Sequence, residues 1–298
     1  MSFKKDHLND FEKYTFLITG ASSGVGRSLT IKLASLGGKC IITARRIEIL
    51  EKIRENFPNN IIKAIEADLS TKEGIQNLLM QIEPYKDKIT HVINNAGSGH
   101  FGLYKNMDAE IIYSMINLNI VTPSIITNYF VKNFYNGFIN ENINNIAEIK
   151  ADNEVSASGV KNRYSERLLH IINIGSVAGV LPNQGIAIYS ATKSYIDTFT
   201  KSLQAEKRKK DKIYFTLILP GAIKTEFFDR AEKNKGAQKI GLPLFEMKAE
   251  KVVNKIIKSI KKRDKIVYIP SILSVLPFLN LLFGRFARNL GPILFKEE

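Results

Sequence analysis

The sequence predicts an α/β fold in which a parallel sheet carries helices on both faces. Short apolar runs alternate with helical patterns along the chain, and strands that alternate with helices form crossover units. The runs are apolar throughout, not at every second position, as burial on both sides of a sheet requires. A glycine-rich turn follows the first run. The predicted strands are 15–19, 39–43, 61–67, 90–96, 168–174 and 214–219.

A single domain accounts for the whole chain of 1–298, because 44% of the residues are hydrophobic and one core of this size is common in α/β folds. No internal repeat is evident. Residues 134–167 are polar and rich in Asn, Glu and Ser. We expect a solvated insertion there that contains one short helix. The second segment that differs from the alternating strand and helix pattern is an apolar C-terminal tail at 266–298.

The segment 248–265 has an apolar stripe at helical spacing between lysines: Ala249, Val252, Val253, Ile256, Ile257 and Ile260. The apolar stretch after it is marginal in length for a spanning helix and is broken by Pro270 and Pro277. This pattern favours an interfacial segment or a hydrophobic cap. Three interpretations stay open for 248–290: peripheral contact with a membrane, a cover over a pocket, or an oligomer contact.

The formal net charge of +14 allows nucleic acid or an anionic membrane as partner. No aromatic residues interleave with basic clusters such as 207–212, which argues against nucleic acid. The lone Cys40 predicts a structural thiol and a reducing compartment. With no apolar leader, the N-terminus predicts a cytoplasmic protein, peripheral on an intracellular membrane if the basic helix binds one. His91, His100 and His170 lack partners at ligand spacing, so no metal site is expected.

The first predicted strand ends in TGASSGVGR, residues 19–27, and an amphipathic helix follows directly. The glycines let the backbone turn tightly and approach a pyrophosphate, whose charge the helix N-terminus favours. This context predicts a Rossmann-like dinucleotide site, although a tight turn without a ligand would look similar. The candidate residues are Gly20, Ser22, Ser23, Gly24, Val25 and Gly26.

The second strand ends in ITARR, where Ala44 takes the place at which an acidic residue would mark NAD. Arg45 and Arg46 can meet the 2′-phosphate of NADP with planar forks of donors. We therefore expect NADP(H), with NAD(H) and plain surface arginines as the alternatives. After the fourth strand, the small residues of NNAG permit close approach to the cofactor, and the candidates there are Asn95, Ala96 and Gly97.

The candidate catalytic residues are Ser176, at the end of the fifth strand, and Tyr189 with Lys193 in YSATK. Tyr189 and Lys193 are four positions apart and share one helical face. A nearby ammonium is expected to lower the pKa of the phenol, which can then act as general acid or base. Ser176 can donate a hydrogen bond that polarises a carbonyl.

Together, TGASSGVGR, NNAG, Ser176 with YSATK thirteen residues later, and PGAIKT at 220–225 resemble the classical short-chain dehydrogenase/reductase family over nearly the whole chain. The resemblance implies a Rossmann-like doubly wound sheet and hydride transfer between nicotinamide and a carbonyl or alcohol carbon. It also implies that Tyr189 is the general acid/base, and that the chain forms a homodimer or tetramer.

The resemblance assigns further residues. Asn119 matches the asparagine that completes the family's catalytic tetrad, with Asn117 as the rival in another register. Asp68, followed by Leu69, matches the aspartate that contacts adenine. The helix and loop after Thr225 match the substrate lid. The residues that match contacts to the cofactor's nicotinamide half are Tyr189, Lys193, Pro220, Gly221, Ile223 and Thr225.

A finer resemblance, to membrane-associated and lipid-handling reductases, implies an apolar substrate such as a long-chain keto compound. Phe101 and Phe245 are candidates for the pocket wall, and His100 is either a pocket residue or an exposed loop residue. Two alternatives from other classes are a non-catalytic NADP-binding sensor or scaffold, and a peripheral membrane-binding protein whose fold is incidental.

Overall fold

All of the predicted strands belong to one sheet in the computed structural model, which describes residues 11–151, 167–181, 184–232, 237 and 247–289. Their ends differ from the predicted ones by no more than a few residues, since apolar composition reports a buried strand more sharply than its termini. The strands are β1 (Thr15–Thr19), β2 (Lys39–Ala44), β3 (Ile61–Glu66), β4 (His91–Asn94), β5 (Leu169–Ile174) and β6 (Ile213–Pro220). The predicted fold class is thus confirmed.

Across the sheet the strands lie in the order β3-β2-β1-β4-β5-β6-β9, where β9 is Ile266–Ile269. Every neighbouring pair is parallel. The order reverses between β1 and β4. Ligands of doubly wound sheets bind at such a switch point, outside the carboxyl ends of the strands. A separate ladder of two short strands, β7 (Ile223–Lys224) and β8 (Met247–Lys248), lies beyond β6.

Helices cover both faces of the sheet and bury an apolar stripe against it. Leu33 and Ile256 belong to the core on one face, and Leu78 and Phe130 to the core on the other. The helices are α1 (Gly24–Ser35), α2 (Ile47–Asn56), α3 (Lys72–Ile82), α4 (Ala109–Ile116), α5 (Thr122–Ala151), α6 (Ala187–Glu206), α7 (Glu226–Glu232), α8 (Ala249–Lys262) and α9 (Leu276–Asn289).

The segment 134–167 differs from the expected solvated insertion with a short helix. Its first half continues α5, which runs without a break to Ala151. Phe134 is buried and the Tyr135 hydroxyl donates to Asp211 at 2.7 Å, so the start of the segment is part of the packed fold. The prediction missed this helix because the polar sequence has no apolar stripe at helical spacing. Residues 152–166 lie outside the described residues.

The C-terminal segment 266–298 does not begin as a tail. Its first residues are β9, which pairs with β6 at the edge of the sheet and buries Val267 and Ile269. A 3₁₀ turn, Ser271–Val275, and α9 follow, and residues 290–298 lie outside the described part of the chain. The apolar stripe of the predicted 248–265 helix lies in α8, where Val252, Val253, Ile256, Ile257 and Ile260 are buried and Ala249 is half-buried.

Among the described residues, one helical run, Ala109–Asn136, is long and apolar enough to cross a membrane. Its side chains Met115, Ile126 and Phe130 are buried, and the last two pack in the core against the sheet. One face of the run therefore packs on the sheet, while 28% of the apolar span is buried in all. Cys40 is buried in β2, and burial raises the pKa of its thiol, so it has the structural character that the sequence predicts.

Candidate functional site

A cavity of about 1130 Å³ opens at the carboxyl ends of the central strands. It brings together the glycine turn after β1, the arginines after β2, the NNAG loop after β4 and the Ser176–Tyr189–Lys193 group. The predicted catalytic and cofactor-binding residues all lie in the described part of the chain, and of these only Gly26 and Asn119 do not line the cavity. Both lie directly behind residues that do, so the sequence-predicted residues converge on one place.

The glycine turn is closely packed against the NNAG loop. Gly20 has a φ of +69°, a left-handed conformation that favours glycine. A Cβ atom at Gly26 would lie 2.3 Å from the Gly20 carbonyl oxygen and 2.4 Å from the Asn95 amide nitrogen. The Asn95 side chain donates to the Thr19 carbonyl at 2.9 Å, which joins the ends of β1 and β4. Only a glycine at 26 leaves room for this junction.

The N-terminus of α1 faces the cavity, which Ser23, Gly24 and Val25 line. Ser23 is the N-cap residue but makes no side-chain capping bond, and the first turn contains no acidic residue. An uncapped helix N-terminus carries a partial positive charge and suits an anion. The close backbone approach at Gly26 and this helix end fit the phosphates of a dinucleotide.

The two arginines lie at the β2 end of the cavity. The Arg46 guanidinium donates to the Ser22 carbonyl at 3.2 Å and to its hydroxyl at 3.3 Å, which holds it beside the glycine turn. Arg45 lies 4.0 Å from the Asp68 carboxylate, with both side chains well exposed. This end of the cavity therefore places cationic groups beside the polar glycine turn.

Helix α7, which the sequence identified only as part of a lid, supplies contacts that sequence reasoning missed. The Glu226 carboxylate accepts from both terminal nitrogens of Arg46 at 3.4 Å, and Arg230 donates to the Ser23 hydroxyl at 2.7 Å. The Phe227 ring lies 5.5 Å from the Tyr189 ring, centroid to centroid. TEFFDRA gives no signal for these partners, because they are distant in sequence.

Tyr189 lies near the start of α6 and is hydrogen-bonded to Ser176, which follows β5. Burial raises the pKa of Tyr189 to about 12, and the Ser176 hydrogen bond offsets only part of that rise. The protein's own groups therefore raise the pKa of Tyr189, which is the reverse of the lowering that was expected from Lys193. The physical reason is that desolvation disfavours the phenolate more than the neighbouring groups stabilise it. The side chain is thus held as a phenol over the neutral range.

Lys193 is buried one helical turn after Tyr189, and its Nζ lies 5.8 Å from the centre of the Tyr189 ring. It donates to the Ile174 carbonyl at the end of β5, at 2.9 Å. Burial lowers the pKa of Lys193 to about 8. The ammonium is therefore still the main form at neutral pH, and the carbonyl fixes its position beside the phenol.

Asn119 is buried in a π-helical turn between α4 and α5, Asn117–Val121, whereas Asn117 is only half-buried. The Asn119 amide donates to the Ser98 carbonyl at 2.9 Å and to the Thr192 hydroxyl at 3.0 Å. A Cβ atom at Gly97 would lie 3.2 Å from its Oδ1 and 3.7 Å from the Lys193 Nζ. The structure places Asn119, not Asn117, next to the Lys193 end of the site. Thr192, inside YSATK, is a contact that the motif spacing did not single out.

Of the two remaining pocket candidates in the described residues, one lines the cavity and the other does not. Phe101 lines the cavity, while His100 is buried and is neither exposed nor part of the cavity wall. Phe245 lies outside the described residues. The His170 and His91 ring centroids lie 5.3 Å apart in the sheet with the ring planes tilted by 53°. Burial lowers the pKa of both histidines. Within the described residues no group of histidine, cysteine and carboxylate side chains could hold a metal ion.

Comparison with known proteins agrees with this geometry. A sequence profile of short chain dehydrogenases matches residues 14–165 and 155–236. A 3-oxoacyl-(acyl-carrier-protein) reductase of Buchnera aphidicola is 30% identical over 214 residues, which cover 72% of this chain and 75% of that protein. These matches span most of the fold and its motifs.

Two solved structures have the same fold. A short-chain dehydrogenase from Sphingobium yanoikuyae in complex with NADPH has a TM-score of 0.70 at 23% identity, covering 96% of this chain and 98% of its own. One from Burkholderia phymatum in complex with NAD has a TM-score of 0.70 at 20% identity, covering 96% of this chain and 99% of its own. With the profile match and the Buchnera relative, the sheet order and the motif positions lead to one conclusion: the chain belongs to the short-chain dehydrogenase family of oxidoreductases.

Proposed function

We propose that the chain is an NADP(H)-dependent oxidoreductase that reduces a carbonyl group, or oxidises the matching alcohol, with Tyr189 as general acid/base. The observation that carries the proposal is the convergence of Ser176, Tyr189 and Lys193 in the cavity that also contains the glycine turn and Arg46. A binding protein without chemistry could hold the cofactor with the turn, the arginine and Lys193, but it does not need a buried phenol beside both an ammonium and the Ser176 hydroxyl.

When bound, a nicotinamide cofactor supplies or accepts the hydride. The chain's own groups manage the proton and the carbonyl oxygen. Because burial keeps Tyr189 protonated, its phenol can donate a proton to the oxygen as negative charge develops there, and Ser176 donates a second hydrogen bond to it. Lys193, as an ammonium, stabilises the phenolate left behind. In alcohol oxidation the same groups act in the reverse order.

Asn119 serves this group as a positioning residue. It binds the backbone next to the NNAG loop and the Thr192 hydroxyl on α6, so it connects the end of β4 to the helix that carries Tyr189 and Lys193. The phosphates of the cofactor would lie on the glycine turn and the α1 N-terminus, with Asp68 near the adenosine and Pro220 to Thr225 near the nicotinamide.

NADP(H) is proposed over NAD(H) because the end of β2 carries cationic side chains and no carboxylate. Ala44 has no side-chain acceptor for a ribose hydroxyl, while Arg45 and Arg46 can bind a 2′-phosphate. The related solved structures include complexes with each cofactor, so the fold does not decide between them.

An apolar substrate, such as a long-chain keto compound, is supported by the wall of the cavity beyond Tyr189. That wall is mainly hydrophobic, and an apolar substrate buried against it loses little favourable hydration. Polar side chains also line the cavity, among them Glu110, Gln184 and Arg230. The Buchnera relative is named for a 3-oxoacyl substrate. The apolar residues of the wall are Phe101, Leu181, Ile186, Phe227 and Leu276.

Titration of the purified protein with NADPH and NADH, followed by NADPH oxidation against keto lipids and simple ketones, tests the proposal. We expect tighter binding of NADPH and faster turnover of the apolar ketones. NADPH binding without turnover on any ketone would favour the alternative, a non-catalytic NADP-binding sensor. Equal or tighter NADH binding would overturn the assignment of Arg45 and Arg46.

We also propose peripheral membrane contact through the C-terminal apolar surface, defined as Ile272, Val275, Phe278, Leu279, Leu281 and Leu282. These side chains are 42–81% exposed, and contiguous exposed apolar residues mark an interaction surface. The surface borders the cavity, because Leu276 lines it and Asn280 donates to the Val180 carbonyl. A net charge of +14 favours binding to an anionic lipid surface. Contact through this surface would bring the cavity mouth close to the membrane, from which an apolar substrate could enter.

The double substitution Phe278→Glu and Leu281→Glu is expected to lower co-sedimentation with vesicles of mixed neutral and anionic phospholipid by at least about tenfold. Met80→Glu, an equally exposed apolar position on α3, is the matched control and should bind as the wild type does. If the double variant binds vesicles normally but has a smaller mass in light scattering, the surface is an oligomer contact instead. Truncation at 266 is unsuitable, since it removes β9 from the sheet.

A further inference from the structure

We infer that Glu226 weakens the preference of this chain for NADP(H) over NAD(H) by competing with the 2′-phosphate for Arg46. The inference rests on the proposed NADP(H) site and adds a residue of the lid helix to it. Glu226 is the first residue of α7, 180 positions from Arg46 in sequence, yet its carboxylate lies 3.4 Å from both terminal nitrogens of the guanidinium.

The two terminal nitrogens of Arg46 are the planar donors that a phosphate would use. One of them also donates to the Ser22 carbonyl and hydroxyl, which fixes the guanidinium beside the glycine turn. A phosphate that binds the guanidinium must therefore displace the carboxylate or approach it closely. Either result lowers the affinity for the phosphorylated cofactor, because like charges repel at this distance.

NADH binding lacks this conflict. Without the 2′-phosphate the Glu226–Arg46 pair can stay intact, since a ribose hydroxyl brings no charge to the guanidinium. Glu226 thus narrows the preference for NADPH that the arginines create. The negative charge that acts against the 2′-phosphate is thus on the lid helix. In enzymes that select NAD, the acidic residue lies at the end of β2 instead.

The lid geometry supports a direct contact between α7 and the cofactor end of the cavity. Arg230 donates to the Ser23 hydroxyl at 2.7 Å, and a Cβ atom at Gly24 would lie 3.3 Å from the Thr225 Cβ. The start of α7 is therefore held on the glycine turn by contacts other than the Glu226 pair. Neutralising Glu226 should leave the helix in place and change only the charge near Arg46.

The test is calorimetric or fluorescence titration of Glu226→Gln with NADPH and NADH. Glutamine keeps the shape and an oxygen acceptor for Arg46 but removes the charge. We expect NADPH to bind roughly twofold to fivefold tighter and NADH to bind as in the wild type, since exposed charge pairs have modest energies. The gain should shrink in 1 M salt, where exposed charges are screened.

Glu51→Gln is the matched control, because Glu51 pairs with Arg54 at 3.3 Å on the surface of α2 with similar exposure. It should change neither affinity. An unchanged NADPH-to-NADH affinity ratio in Glu226→Gln, or weaker NADPH binding, would overturn the inference. Arg46→Gln separates the two proposals: if it leaves NADPH binding unchanged, the NADP(H) site itself is wrong, whereas weaker NADPH binding there with no effect of Glu226→Gln rejects only the role of Glu226.

Discussion

Tyr189→Phe is expected to lower turnover by about 10²–10⁴-fold while NADPH still binds, because positioned proton donors contribute that much to a rate. The substitution removes only the hydroxyl. The ring contact with Phe227 and the packing at the start of α6 remain, so the fold and the phosphate end of the cavity are unchanged. Steady-state rates of NADPH oxidation and a titration of NADPH binding measure the two effects separately.

Tyr195→Phe is the control for this prediction. Tyr195 lies on the same helix, and its hydroxyl pairs with Ser124 at 2.9 Å, outside the cavity wall. It should keep nearly all of the activity. If Tyr189→Phe retains wild-type turnover, the proton must come from another group and the proposed role of Tyr189 is wrong.

Gly26→Ala is expected to weaken NADPH binding by roughly tenfold or more, because the turn that would hold the phosphates must move and each loss of about 1.4 kcal/mol in binding energy is a tenfold change in affinity. The added Cβ would lie 2.3 Å from the Gly20 carbonyl oxygen and 2.4 Å from the Asn95 amide nitrogen. Both are held by the junction of β1 and β4, so the glycine turn must open. Overpacking of this kind also costs about 1–3 kcal/mol of stability.

Arg27→Ala tests whether that loss is specific. Arg27 is the next residue in α1, but its side chain is exposed and does not line the cavity. It should change neither the NADPH dissociation constant nor the melting temperature appreciably. A Gly26→Ala protein with unaltered NADPH affinity and melting temperature would show that the turn tolerates a side chain, contrary to the packing described.

The sequence was most informative where function depends on local backbone patterns. Apolar runs and their spacing located β1 to β6, because strands buried on both faces cannot be polar. The glycines before α1 and the four-residue spacing of Tyr189 and Lys193 predicted which groups share the cavity. Parallel strands end at one edge of a sheet, so residues that follow different strands meet there.

The sequence was least informative where a pattern was missing or a feature depended on packing. The polar residues after Phe134 hid the continuation of α5, and β9 was absorbed into an apolar tail although it completes the sheet. The direction of the Tyr189 pKa was also predicted wrongly from spacing. Spacing shows that Lys193 is near, but the balance between its charge and desolvation depends on how far the phenol is removed from water.

The sequence by itself thus determined the fold class, the family and the residues that surround the cavity. The tertiary structure alone placed the Glu226 carboxylate on Arg46, Phe227 beside Tyr189 and the Thr192 hydroxyl on Asn119. Periodicity and motif spacing report what the backbone does over a few residues. Contacts between residues far apart in the chain are decided by how helices pack on the sheet, and no local pattern records them.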